Sequence, residues 1–415
     1  RVFLAKLFGL TLSQRVSLVG IGMGAEKTLT LEGKKAFDEA ELLIGAKRMT
    51  DAVQRPGQMI LHEYRSDKIV EYIKTHPQYR TVAIALSGDV GFYSGARKLM
   101  DLLDGDVQVI CGISSVVYFM AKIGLSWDDA RIVSAHGRDC NLIALIRHNP
   151  KVFSILGTED GVARLASRLV AYGMGDVTLY VGENLSYENE KIFHASAAEL
   201  TEYRGDALSV VTACNEKAVP LPAVHGICDE EFLRGKAPMT KEEVRTVSLS
   251  KLRLQENSVC YDVGAGTGSV SVEMALRAWK GQVYAIEKKE DALTLLKENR
   301  RKFATDNLEI VPGTAPEAMV ELPVPTHAFI GGSSGNMNEI IRLLLDKNPK
   351  VRIVINCITL ETVTEAMNAI RDFSLTDVDI VQLSAARSKS IGRYHMMMGE
   401  NPIYIISCSG RGEEI

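Results

Sequence analysis

For a chain of 415 residues this one is short of cysteine, and its seven cysteines (Cys111, Cys140, Cys214, Cys228, Cys260, Cys357, Cys408) never stand as Cys-x-x-Cys. An odd, scattered set excludes a disulfide framework and reads as the reduced, mostly buried thiols of a cytoplasmic protein. The eight histidines show no ligand spacing, so no metal site is expected. Cations are not in surplus: 48 Lys and Arg stand against 52 Asp and Glu, with net charge −4 and a pI of about 6.1. A broad basic face for gripping nucleic acid by its phosphates is therefore not expected. Long apolar runs are also missing: nothing approaches the roughly 20 residues of a membrane-spanning helix, so a soluble protein is expected. The first 12 residues are apolar and basic but too short to span a membrane, and no small-residue cleavage site follows. Residues 1–15 read as a loose N-terminal extension.

The length calls for two or three domains. The most informative stretch runs from Cys260 to Val272, where a buried strand breaks into a glycine loop and then a helix. Gly264, Gly266 and Gly268 alternate with Ala265 and Thr267, and the missing side chains let the backbone touch a ligand. A dinucleotide fingerprint would want a glycine at position 269, which is Ser269. The next apolar run, 282–286, ends on Glu287, about 20 residues beyond the loop, where a carboxylate can accept both hydroxyl protons of a ribose. Gly-x-Gly-x-Gly after an acidic strand end, here Asp262, resembles the first motif of the class I S-adenosylmethionine methyltransferases.

Seven strands are expected in this half, at 258–263, 282–287, 308–311, 327–330, 351–358, 375–384 and 402–408, most separated by helices. Two loops stand at strand ends: 313–318 with Ala315, and 331–335 with Ser333 and Ser334, whose glycines suit close approach to a substrate or a plain helix entry. Ahead of them, 216–238 is punctuated by Pro220, Pro222 and Pro238 and reads as a stiff linker. Thr240 then looks like a helix cap, with Glu243 at the capping-box position.

The first half alternates strands (17–21, 41–46, 81–86, 107–110, 131–135, 152–156) with helices and is α/β; runs at 177–183 and 208–213 suggest antiparallel strands. Thr30 stands where a cap would open a helix through Ala40. Three loops carry more glycine and hydroxyl residues than connections need: Gly20 to Gly24 with Gly22, Ser87 to Gly95 with Asp89 and Val90, and Gly112 to Val116 with Ser114 and Ser115. Loops at carboxyl strand ends suggest a shared pocket, with helix capping by Ser114 or Ser115 as the plainer alternative.

Those loops, with Tyr118, Trp127-Asp128-Asp129, Ser134-Ala135-His136-Gly137-Arg138 and Glu183-Asn184-Leu185-Ser186-Tyr187-Glu188, resemble the tetrapyrrole methylase family over about 17–215, and more narrowly its C5-methylating branch in corrin synthesis. The second half resembles the C15-methylating, decarboxylating partner of the same pathway. This implies a two-lobed tetrapyrrole methylase domain (16–215) followed by a Rossmann-like seven-stranded class I domain (239–415), with one S-adenosylmethionine in each. The resemblance places the first cofactor near Gly22, Asp89, Val90, Ser114, Ser115 and Asn184, and the second near Thr240, Gly264, Ala265, Gly266, Thr267, Gly268, Glu287 and Ala315. It implies methylation of C5 and C15 of a precorrin, with or without cobalt, loss of the C12 acetate carboxyl, and a homo-dimer or tetramer.

Between 385 and 396 three cations, Arg387, Lys389 and Arg393, are interleaved with small residues and followed by Tyr394 and His395. They suit a macrocycle bearing many carboxylates, held while the departing acetate lies in a drier pocket; a solvated loop is the alternative. His395 reads more readily as packed than as a proton carrier. Two other functional readings stay open: an RNA or protein substrate for the second half, and one half as a non-catalytic binding module.

Overall fold

The computed structural model describes residues 14–103, 106–135, 141–220 and 225–411. The expected extension up to residue 13, the segment His136-Gly137-Arg138, Cys140 and Pro222 lie outside these. The chain divides into two compact units, one of residues 1–137 and 149–216, the other of 138–148 and 217–415.

The first unit contains two five-stranded sheets. Strands β1 (Arg15–Gly20), β2 (Leu42–Gly45), β3 (Met59–His62), β4 (Thr81–Leu86) and β5 (Val107–Ile110) form the first, all parallel, in the order β3-β2-β4-β1-β5. β1, β2 and β4 are buried almost throughout, as interior strands covered on both faces must be. The second sheet combines β6 (Arg131–Ser134), β7 (Lys151–Ile155), β8 (Thr178–Glu183), β9 (Lys191–Ser196) and β10 (Ser209–Cys214) in the order β6-β7-β10-β8-β9. Here β10 runs antiparallel to both β7 and β8, as the shorter polar connection suggests. Thr30 caps the helix Leu31–Glu39, its hydroxyl accepting from Gly33 N at 3.0 Å.

The second unit is built on one sheet. Its strands are β11 (Val259–Val263), β12 (Gln282–Glu287), β13 (Leu308–Pro312), β14 (His327–Ile330), β15 (Arg352–Cys357), β16 (Thr376–Leu383) and, after a hairpin of β17 (Ala386–Ile391) and β18 (Tyr394–Gly399), β19 (Ile403–Ser409). The order is β13-β12-β11-β14-β15-β19-β16, parallel except for β19. Side chains alternate between two cores: Tyr261, Val263, Ile286 and Ile330 in one, Cys260, Val283, Ala285 and Phe329 in the other. The helix Met337–Lys347 buries Met337, Ile340, Ile341 and Leu344, an i, i+3, i+4, i+7 stripe. Each such side chain contributes about 1.5–3 kcal/mol by leaving water.

Residues 216–238, expected as a stiff linker, are hydrogen-bonded into this unit from Ile227 onward. Ile227 N donates to Glu273 Oε1 at 3.1 Å, and Leu233 N donates to Asn299 Oδ1 at 2.8 Å. The expected cap is corrected too: Lys241, not Thr240, is the N-cap of the helix Glu242–Leu252, and no side chain caps it. Glu243 is drawn away by Arg387, whose Nη2 lies 2.7 and 2.9 Å from its two oxygens. This pairing holds the Glu243 carboxyl below its usual range.

Cysteines are less buried than composition implied. Cys260, Cys357 and Cys408 are core residues, and burial pushes their thiols up, whereas Cys111 and Cys228 are exposed and Cys214 is half-buried. Among the described residues no helix is long and apolar enough to cross a membrane, and no cluster of His, Cys, Asp and Glu could hold a metal ion.

Candidate active sites

In the second unit the strand order reverses between β11 and β14, which opens a crevice at their carboxyl ends. The turn after β11 needs glycine. Gly264, Gly266 and Gly268 all have positive φ, at 76°, 56° and 79°. A Cβ at Gly264 would lie 2.9 Å from Gly332 O, and one at Gly266 would lie 2.8 Å from Pro238 O. Glu287, at the end of β12, locks this turn: Oε2 accepts from Gly266 N at 2.9 Å, and Oε1 accepts from Lys288 N and Lys289 N, each at 2.9 Å. A carboxylate offers about four acceptor positions, so three amides leave capacity for a ligand hydroxyl.

Around these groups lies a cavity of about 210 Å³. Gly264, Gly266, Glu287 and Ala315 line it, with Ala237 and Pro238 on one side and Ser333 and Ser334 on another. Ala265, Thr267, Gly268 and Thr240 do not line it. Ala265 packs on the apolar core, Gly268 starts the helix Ser269–Arg277, and Thr240 offers its carbonyl to Arg245 Nη1 at 2.6 Å. Thr267 is buried, and its carbonyl accepts from Asn299 Nδ2 at 2.9 Å. A second cavity of about 340 Å³ shares Gly331, Gly332, Ser333 and Ser334 as a wall and extends to Asn356, Thr359 and Thr362.

Beneath the turn Asp262 is 1% exposed; Oδ2 accepts from Ser271 Oγ, and Oδ1 has no partner among the described residues. Burial, followed by the nearby charge of Glu287, pushes its carboxyl up to about 7. A buried ion network holds the strap that ends in Pro238. Arg245, fully buried, donates from Nε to Glu273 Oε1 at 2.6 Å and from Nη1 to Asp229 Oδ1 at 3.1 Å, and it also binds the carbonyl of Ile227.

The hairpin separates His395 from Arg387 and Lys389. Cross-strand pairs Arg387↔Met398, Lys389↔Met396 and Ile391↔Tyr394 put Arg387 and Lys389 on one face with those four residues, while Ser388↔Met397 and Ser390↔His395 put Met397 and His395 on the other. Arg387 is engaged by Glu243, Asp229 and Glu400. Arg393, in the turn, donates to Tyr394 OH at 3.0 Å, and neither it nor Lys389 has a carboxylate at ion-pair distance among the described residues.

In the first unit β1, β4 and β5 end level, with Gly20 beside Leu86 and Val19 beside Ile110. The following loops meet backbone to backbone: a Cβ on Gly112 would lie 2.3 Å from Gly88 O and 2.6 Å from Gly20 O. Gly22 and Gly88 bridge, and Asp89 ties the loops by accepting from Gly91 N at 2.8 Å and Gly112 N at 3.1 Å. A cavity of about 340 Å³ opens beside them. Ser115 and Asn184 line it; Gly22, Asp89, Val90 and Ser114 do not. Ser114 is the helix cap of the plainer reading, accepting from Val117 N, and Val90 packs against the core. Motif spacing did not single out Arg48 in the first cavity, whereas Met23 and Phe92 sit inside the glycine loops 20–24 and 87–95, Pro238 ends the expected linker, and Lys288 and Lys289 directly follow Glu287. Arg48 reaches its cavity through tertiary packing, without a local signature.

A glycine turn at the switch point of a sheet with this strand order, closed by a carboxylate on the next strand, defines the second unit as a class I methyltransferase domain. A precorrin methyltransferase domain matches residues 231–409, and the tetrapyrrole (corrin/porphyrin) methylases match residues 15–201. A probable cobalt-precorrin-6B C(15)-methyltransferase (decarboxylating) of Pyrobaculum calidifontis is 44% identical over 188 residues, 45% of this chain and 96% of that protein. The cobalt-precorrin-6B C(15)-methyltransferase (decarboxylating) of Salmonella typhimurium is 41% identical over 182 residues, 43% of this chain and 94% of that protein. Among solved structures, a precorrin-6y C5,15-methyltransferase of Geobacter metallireducens is 39% identical, covering 44% of this chain and 95% of that one, with a TM-score of 0.42. The chain belongs to the precorrin methyltransferase family, whose members are S-adenosylmethionine-dependent enzymes.

Proposed function

We propose that the chain is a bifunctional C-methyltransferase of corrin ring synthesis, in which the first unit methylates C5 of a precorrin and the second methylates C15 and removes the C12 acetate carboxyl. The observation that carries this reading is a separate cavity at the strand ends of each unit, one beside the Gly20, Gly88 and Gly112 loops and one beside Gly264, Gly266 and Glu287. One S-adenosylmethionine in each unit supplies the methyl group as a sulfonium electrophile.

In the second unit the glycine turn and Glu287 fit that cofactor. The Gly264 and Gly266 backbone closes on it, Glu287 accepts from a ribose hydroxyl, and Val263, Ile286, Ala292 and Ala315 give apolar walls. Ser333 and Ser334, shared by the two adjoining cavities, hold the reacting edge of the substrate against the methyl. An electron-rich ring carbon needs positioning in line with the sulfonium rather than an activated side-chain nucleophile. Decarboxylation is served by leaving the departing carboxylate poorly bound, because tight ground-state binding would raise the barrier. The grip on the carboxylates that stay falls to Lys389 and Arg393, since Arg387 is already neutralised. Cytoplasmic location belongs to this reading, as does a homo-oligomer, with which the exposure of Tyr394, Met396 and Met397 on the hairpin agrees.

The test is anaerobic incubation of the chain with cobalt-containing or metal-free precorrin and S-adenosylmethionine, followed by mass spectrometry. The expected product is heavier by two methyl groups and lighter by one carbon dioxide. A product methylated once with its acetate intact would reduce the second unit to a binding module, and methylation of RNA or protein in its place would move the substrate.

A further inference from the structure

The cavity of the first unit is nearly free of charge. Its lining is apolar, aromatic, hydroxyl and amide, with a single exception among the described residues, Arg48. Arg48 stands in the short helix Lys47–Val53 that follows β2, and its guanidinium is not neutralised: no carboxylate of the described residues lies at ion-pair distance. Its neighbour Arg55 differs, since it pairs with both Asp38 and Glu26.

What Arg48 does have is a support. Its Nη1 donates to Tyr187 OH, and its guanidinium carbon lies 5.7 Å from the centre of that ring. Tyr187 is itself fixed: its hydroxyl lies 2.1 Å from where a Cβ on Gly24 would be, so the ring rests directly on the glycine loop. The neighbouring Ser186 Oγ accepts from Ala25 N at 3.2 Å, which ties the same two loops together. A guanidinium has five N–H donors, and the phenol takes one, leaving a planar edge free for a carboxylate.

We propose that Arg48 is the carboxylate anchor of the first unit's cavity, presented by Tyr187, and that it receives either an acetate or propionate arm of the tetrapyrrole or the amino-acid carboxylate of the cofactor. The anchor rests on the proposed function for its ligands. An unpaired cation in an otherwise uncharged cavity is stabilised by an incoming anion, and a bidentate carboxylate adds two charge-assisted hydrogen bonds.

Arg48 is exposed, so its replacement leaves the core intact, which a thermal melt of each variant verifies. Arg48→Gln and Arg48→Lys in the full chain are compared with the parent in three measurements: calorimetric affinity for S-adenosylhomocysteine, fluorescence binding of uroporphyrin III as a stable polycarboxylate tetrapyrrole, and KM and kcat for methylation by the first unit. A rise of about 10- to 100-fold in KM and in uroporphyrin dissociation constant, with kcat and S-adenosylhomocysteine affinity kept, identifies the tetrapyrrole arm. The same loss confined to S-adenosylhomocysteine identifies the cofactor carboxylate. In either case Arg48→Lys recovers part of the loss, because the charge returns without the fork. Changes below about twofold in both ligands overturn the proposal. Failure of the parent chain to methylate any precorrin would refute the proposed reaction, while the two binding measurements still decide Arg48.

Discussion

The two units place a cavity at the carboxyl ends of parallel strands by different means. In the first, three loops touch glycine to glycine, and the cavity carries one cation and no carboxylate among its described lining. In the second, one glycine turn rests on the carboxylate of Glu287, Lys288 and Lys289 follow it, and fully buried charges hold the covering strap. Glycine backbone contacts tied by the single carboxylate of Asp89 fix the first geometry, whereas the second depends on several ionic groups taken out of water. The shape of the first should therefore survive loss of its one lining cation, which acts on ligand binding alone, but not added side-chain volume, and the second should be sensitive to both.

The sharpest way to separate the units is to add volume to each in turn. Gly264→Val, which forces a side chain against the Gly332 backbone, is expected to lower methylation by the second unit at least about 100-fold while product analysis still finds the first methyl. Gly112→Val should give the reverse product. Loss of both methyls from either variant would mean that the units are not independent. Next in size, Arg245→Met leaves Asp229 and Glu273 buried without their partner and should cost about 3–5 kcal/mol, read as earlier urea unfolding of the second unit alone.

Glu287→Gln should weaken S-adenosylhomocysteine binding in the second unit by about 10- to 100-fold and leave the first unit unchanged, because an amide offers the three backbone donors fewer acceptors. The smallest effect is a pH dependence. Asp262 is raised to about 7, so the stability it gives is full below its unfolded value near 3.8 and is lost as pH rises through about 7. Between about pH 6 and pH 8 the parent should lose about 1.4 kcal/mol more than Asp262→Asn, measured by urea unfolding at each pH. Parallel profiles would show that Asp262 stays ionised.

Much of this contrast is legible in the sequence, and the gaps have physical causes. Interior strands such as Thr81–Leu86 and Val259–Val263 show as apolar runs because both of their faces are covered. Met59–His62 and Lys191–Ser196 give no such signal; both are edge strands with half-exposed residues. The hairpin Ala386–Gly399 reads as a cation-bearing loop because neither strand has a buried face and the three methionines stand in a row instead of alternating with polar residues. Gly264, Gly266 and Glu287 are readable because turn chemistry and strand spacing are local, whereas Ala315 is placed by the family resemblance alone. Thr240 misled for the opposite reason: its capping partner Glu243 is claimed by Arg387, 144 residues away. Arg48 likewise has no local signature, since its supporting Tyr187 is 139 residues distant.

The central claim, one cofactor site in each unit, is tested most directly by calorimetric titration of the full chain with S-adenosylhomocysteine. The account predicts two molecules bound per chain, falling to one in Gly112→Val and one in Gly264→Val. A stoichiometry of one in the parent chain, abolished by one of these variants and untouched by the other, would contradict it.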